Sequence, residues 1–267
     1  MSTLRNALLL GAALSLAPAF AAQPPGKGDS KPKTSASAAK KAQAKPNSGK
    51  KPVKKAAAGK QEPQTPGPLA DFGKATDASP DVVHVANWVS HTRNNKKKAF
   101  VLIDKKAAQL YVFDPQGKLK SSTPILLGKA VGDHSVPGIG NKPFSQIKED
   151  EKTTPAGRFL VHPGRNTRGE DILWIDYNAA VSMHRLRKVS AKEQRADRMA
   201  TPEATDNRIS YGCVNVPPRF YNSVLKPTVM KQGAFVYVLP ETKTPQQQFG
   251  SFDVPRTAGA ARTSRPA

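Results

Sequence analysis

Arg208-Ile-Ser-Tyr-Gly-Cys-Val-Asn-Val-Pro217 holds the single cysteine of a 267-residue chain, set between a glycine and an apolar run. Gly212 has no side chain, so the backbone here can approach a bound molecule closely. The N–H groups around Tyr211, Gly212 and Cys213 can then face a developing oxyanion. A lone cysteine excludes an intramolecular disulfide. The count by itself leaves two readings: a buried, inert thiol, as unpaired cysteines commonly are, or a thiol whose reactivity is used.

A reactive cysteine needs a base to generate thiolate, and histidine is the side chain suited to that near neutral pH. Five histidines are available. His84 and His91 fall on a helical pattern and read as polar-face residues, His134 lies in a long loop, and His162 ends a strand before Pro163. His184 differs, because it closes the β-rich run Ala180-Val-Ser-Met-His184 upstream of the cysteine, at a separation that strand pairing can close.

Working outward, Thr154-Pro155-Ala156-Gly157-Arg158-Phe159 precedes His184, and Ser210-Tyr211-Gly212-Cys213 follows it. In this order the three segments resemble the YkuD-type L,D-transpeptidases, over roughly residues 99 to 240 and including the closing Gly233-Ala-Phe-Val-Tyr-Val238. The resemblance implies a mainly β fold with short helices, sandwich-like, with a substrate groove. It implies Cys213 as nucleophile and His184 as base, acting on peptidoglycan stem peptides. Cys213 would attack the carbonyl between the L-centre of a diamino acid and a terminal D-alanine, and an amine would resolve the thioester. Ser210, Tyr211, Gly212, Arg185 and Asn215 are the expected oxyanion or substrate-binding neighbours. No cofactor and no metal is required, and no Cys/His spacing suits one. The same nucleophile could instead serve an L,D-carboxypeptidase or amidase, or the fold could serve a non-catalytic wall-binding protein.

Four features depart from the family pattern. Tyr211 stands where many relatives carry histidine, leaving His184 as the only base and Tyr211 as groove wall. Arg185 follows His184 where a small residue is usual. Its side chain cannot accept a hydrogen bond, so a backbone carbonyl or another residue must orient the imidazole. Asn215 replaces a frequent arginine. The stretch from Leu186 to Asn207 is long, and its Arg187, Lys188, Lys192, Arg195 and Arg198 read either as a basic lid over the groove or as a solvated face.

The elements around these motifs follow from local pattern. Ser79-Pro80-Asp81 with Val82, Val85, Ala86 and Val89 predicts a capped amphipathic helix. Phe100–Ile103, Gln109–Phe113 and Lys118–Leu127 read as a β-meander. Further strands are expected at Gly157–His162, Asp171–Tyr177, Ala180–His184 and Ala234–Leu239. Gly128 to Pro155 reads as a long functional loop. Ser190-Ala-Lys-Glu193 reads as a capping box, and Pro217-Pro218 as a helix start over Phe220 to Leu225.

Arg5, the apolar run Ala7–Leu16 and the small residues ending at Ala22 form a signal-peptide pattern over residues 1–22, which predicts export to the periplasm or cell envelope. The apolar run is too short to span a bilayer, and no later segment is long enough. Residues 23–78 read as a disordered basic linker, with eleven lysines between 23 and 67 against Asp29 and Glu62. The catalytic domain is expected over 79–242 and a disordered tail over 243–267. With 42 Lys and Arg against 20 Asp and Glu, the net charge is +22. In an exported chain this balance points away from nucleic acid and toward anionic wall polymer, peptide carboxylates or membrane surface. The linker suits an electrostatic tether or a plain solubilising spacer equally.

Overall fold

A computed structural model describes residues 66–74 and 77–255. The signal peptide, residues 23–65 and 75–76 of the linker and the last twelve residues of the tail lie outside the described residues. The first helix is α1, Pro80–Thr92, where the Ser79 hydroxyl accepts from Val82 N and Pro80 occupies the first turn. Val82, Val85, Ala86 and Val89 are completely buried, as their helical spacing predicts.

Strands β1 (Ala99–Asp104), β2 (Gln109–Phe113) and β3 (Leu119–Pro124) form the expected antiparallel meander, with a bulge at Val112/Phe113. After β4 (Leu127–Gly128) come β5 (Gly157–Leu160), β6 (His162–Arg165), β7 (Asp171–Asp176), β8 (Val181–Arg185), β9 (Arg208–Ser210), β10 (Val214–Val216) and β11 (Ala234–Val238). One sheet runs β3-β2-β1-β11-β5 and a second runs β10-β8-β7-β6, while β4 pairs with β9. The fold is thus mainly β with few short helices.

All six residues of β1 are buried because both faces of the first sheet are covered. Phe100, Leu102, Tyr111, Phe113, Phe235 and Tyr237 meet α1 on one face. Val101, Ile103, Leu110, Val112, Val236 and Val238 share the other core with Leu173, Val181, Met183, Val214 and Val216 of the second sheet. Alternation along each strand produces this division. Helix α2, Arg195–Ala200, lies in the long insert. The segment after Pro217 runs as α3 (Pro218–Phe220), a π-helical Tyr221–Leu225, and α4 (Lys226–Gln232). Tyr221, Leu225 and Val229 seal the core. Among the described residues no helix is long and apolar enough to cross a membrane.

Three expectations need correction. The chain beyond 242 is not structureless over its described part. Thr244 caps a further helix, α5 (Pro245–Phe249), through a reciprocal capping box with Gln247, and Phe249 stacks on Trp88 at 6.4 Å and meets Tyr237 edge-on at 5.9 Å. The linker's end is likewise ordered: Asp71 bridges Lys118, and Phe72 packs edge-on against Phe113. The Ser190 capping box does not form. Ser190 accepts from Lys192 N, but Glu193 turns to Arg195 at 2.6 Å, and Gln194 adopts a left-handed conformation that separates the opening turn from α2.

Candidate functional site

Strands β8 and β10 run parallel in the second sheet, with Val214 opposite Met183 and Asn215 opposite His184. Alternation sends Val181, Met183, Val214 and Val216 into the core and Ser182, His184 and Asn215 to the other face. Cys213, one residue before β10, falls on that same face. Cys213, Ser182, His184 and Tyr211 line a cleft of about 410 Å³. Ile139, Phe144 and Ile147 of the long loop form another part of the wall, and Arg168, Arg187, Lys188 and Arg195 line it as well. Cys213 is partly exposed at this cleft.

The sulfur of Cys213 lies 3.5 Å from the Ala180 carbonyl and 3.7 Å from the Ser182 hydroxyl. Among the described residues no hydrogen bond joins it to the His184 ring. Ala180 reaches this position in a left-handed conformation at φ 55°, which costs about 1 kcal/mol for a residue other than glycine. Gly140 of the long loop packs on the same turn, where a Cβ would strike the Asn178 carbonyl at 2.2 Å.

His184 is buried, and its Nδ1 lies 2.8 Å from the Arg185 carbonyl oxygen. A carbonyl only accepts, so Nδ1 carries the proton and Nε2 keeps its lone pair. Burial lowers the pKa of the ring to about 4. The Arg185 carbonyl opposes that shift, the charges of Arg187 and Arg195 add to it, and Glu170 opposes it. Near neutral pH the imidazole is therefore an uncharged base.

The turn before Cys213 is clamped internally. Ser210 Oγ accepts from Gly212 N at 3.1 Å and donates to the Cys213 carbonyl at 2.6 Å. Gly212 is at φ 127°, and a Cβ there would meet the Thr153 carbonyl at 2.8 Å, so only glycine fits. Thr154 Oγ1 donates to the Gly212 carbonyl at 2.8 Å.

These contacts revise the expected neighbours of Cys213. Tyr211 does line the cleft, with Phe144 edge-on at 5.1 Å and the Lys152 ammonium 4.2 Å from its ring centre. Ser210 is buried and spent within the turn, and it leaves the Gly212 N–H unavailable to an oxyanion. The Arg185 side chain points away from the cleft, to Asp171, Asn222 and the Tyr221 ring, and only its carbonyl serves the site. Asn215 is fully buried beneath the site, where Arg195 Nη1 donates to its Oδ1 at 3.1 Å. Of the insert's basic residues, Arg187, Lys188 and Arg195 line the cleft, whereas Arg198 staples the insert through the Glu193 and Asp206 carbonyls. Among the described residues no cluster of three or more His, Cys, Asp or Glu could hold a metal ion.

No family model matches the chain, and no curated protein matches it. Several solved structures resemble parts of the chain. The catalytic domain of an Enterococcus faecium L,D-transpeptidase is 20% identical over 54% of this chain and 98% of that one, at a TM-score of 0.31. The avibactam carbamoyl form of Ldtfm is 18% identical over 54% of this chain, at a TM-score of 0.32. Pgp2, a helical cell shape determining protein of Campylobacter jejuni, is 15% identical over 56% of this chain, at a TM-score of 0.36. The match spans 49% of each of the latter two chains.

Proposed function

We propose that this chain is an exported cysteine acyltransferase of the L,D-transpeptidase type, working on peptidoglycan stem peptides in the cell envelope. The observation that carries the reading is the shared face of β8 and β10. It puts the only cysteine and a neutral, backbone-oriented histidine in one cleft, with Nε2 as the ring's remaining acceptor. The order of the Thr-Pro-x-Gly-x-Phe, His184 and Ser-x-Gly-Cys motifs supports it.

Chemistry starts when Cys213 Sγ leaves the Ala180 carbonyl by side-chain rotation and yields its proton to His184 Nε2. The thiolate attacks the carbonyl preceding the terminal D-alanine, and the Cys213 and Tyr211 amides are the candidates to hold the oxyanion. Collapse breaks the peptide bond. His184 returns the proton to the leaving D-alanine amine, and a thioester remains. An acceptor amine then attacks, passes its proton to His184, and expels the Cys213 thiolate with formation of a new amide. The cleft suits an anionic peptide. Arg187 and Arg195 are paired with Glu170 and Glu193, while Arg168 and Lys188 form no salt bridge among the described residues.

The test is exchange of the terminal D-alanine of a tetrapeptide stem for a labelled D-amino acid. Wild type is expected to exchange and to show a thioester adduct at Cys213 by intact mass. Cys213→Ala should do neither while keeping its fold. Exchange by that variant would falsify the reading. Release of tripeptide without exchange would transfer the assignment to a carboxypeptidase.

A further inference from the structure

The Thr-Pro-x-Gly-x-Phe segment holds a hydroxyl placed directly against the nucleophile's peptide bond. Thr154 is 1% exposed. Its Oγ1 accepts from Gly128 N at 2.9 Å and donates to the Gly212 carbonyl at 2.8 Å, so it is fully committed between two backbone segments. Its own carbonyl accepts from Lys105 Nζ at 3.0 Å. That ammonium also bonds the Gly132 carbonyl and sits 3.1 Å from Asp133 and 3.0 Å from Glu241, with no exposure. Thr154 is therefore anchored on both sides by buried groups.

The Gly212 carbonyl belongs to the peptide that carries the Cys213 N–H. The described residues contain no cis peptide, so in this planar unit the N–H points opposite to the carbonyl. Fixing one end fixes the other. Glycine offers little resistance to rotation of that peptide, because Gly212 has no Cβ to restrict ψ. Ser210 Oγ bonds the peptides on either side, and the hydrogen bond on the Gly212–Cys213 peptide itself comes from Thr154; the Cys213 N–H has no acceptor among the described residues.

We propose that Thr154 is a positioning residue that aims the Cys213 N–H at the oxyanion by holding the Gly212 carbonyl. The proposal rests on the acyltransferase reading above. Thr154 touches neither thiol nor substrate, and its loss affects the step that builds charge on the substrate oxygen, not the formation of thiolate.

The experiment measures two rates on the full chain, both at the only cysteine and both by intact mass: acylation by a tetrapeptide stem, and alkylation by iodoacetamide, which needs thiolate but no oxyanion. Thr154→Val is expected to acylate about 10- to 100-fold more slowly, the penalty of a small misplacement of a catalytic group. It should be alkylated at a rate close to wild type. Thr154→Ser, which keeps the hydroxyl, should restore acylation. If the valine variant is unfolded at the assay temperature, Thr154→Ala is judged by the same two rates. Acylation at the wild-type rate, or loss of both rates in equal proportion, overturns the proposal alone. A wild-type chain that forms no acyl-enzyme overturns the functional reading and this proposal with it.

Discussion

The His184 imidazole is oriented by the carbonyl of the next residue, Arg185, 2.8 Å from Nδ1. A carboxylate in that position would favour the imidazolium strongly, whereas a carbonyl orients the ring and leaves burial to depress its pKa. The same cleft is thus lined by a thiol and a neutral imidazole.

The ring should accordingly titrate near pH 4, well below the usual 6.5. Following the His184 Cε1 proton by NMR measures this directly, and a midpoint near 6.5 would contradict the environment described. The linkage sign follows. The unfolded chain binds the proton at higher pH than the folded one, so stability is full above about 6.5 and declines as pH falls toward 4. The acid limb of the acylation rate should lie on the same low side.

Arg195 adds a positive charge near His184 and donates to the buried Oδ1 of Asn215. Arg195→Gln should therefore raise the His184 midpoint, because a charge that opposes protonation is gone. Disturbing a buried hydrogen bond should also cost about 1–3 kcal/mol. NMR titration and urea denaturation of the same variant read the two effects. An unchanged midpoint with reduced stability would restrict Arg195 to a structural role.

What the sequence disclosed and what it concealed have physical reasons. Strand alternation, the Ser79 cap and the run ending at His184 are local patterns, and their elements formed nearly where expected. The clamp of Thr154 on Gly212 joins residues 58 positions apart and leaves no local trace. For Arg195 the sequence left a lid over the groove and a solvated face equally open, because its position depends on the left-handed Gln194. The reach of Glu193 to Arg195 similarly defeated a good capping-box pattern. In α5 the signal was legible: Thr244-Pro245-Gln246-Gln247 has the capping residue, the proline and the glutamine at the right spacing. The surrounding polar composition hid it, since Phe249 finds its partners on α1 and β11.

That packing predicts a cost for trimming the chain. Phe249→Ala removes a ring that touches both Trp88 and Tyr237, and is expected to destabilise by about 2–4 kcal/mol, near the lower part of the range for phenylalanine truncation because the side chain is only partly buried. A chain ending at residue 242 should lose at least as much. Urea midpoints indistinguishable from wild type would show that α5 contributes nothing to the core.

The last prediction concerns charge buried away from the thiol. Lys105 faces Asp133 and Glu241, and Arg208 closes the cluster on Glu241. Burial alone would raise the Asp133 carboxyl. The Thr242 hydroxyl, the amides of Glu241 and Thr242, and Lys105 outweigh that and hold it well below the ordinary carboxylate range. Its contribution is therefore present above the unfolded pKa of about 4 and is lost as pH falls further. Lys105→Met keeps much of the side-chain volume but removes the ammonium, leaving Asp133 without its cation and Glu241 with Arg208 alone. Breaking a buried pair in this way costs about 3–5 kcal/mol. Protonating the stranded carboxylates should relieve part of that penalty, so the gap to wild type in urea denaturation should be largest at pH 7 and narrow toward pH 4. A gap that stays constant across this interval would mean that lost packing, not uncompensated charge, sets the cost.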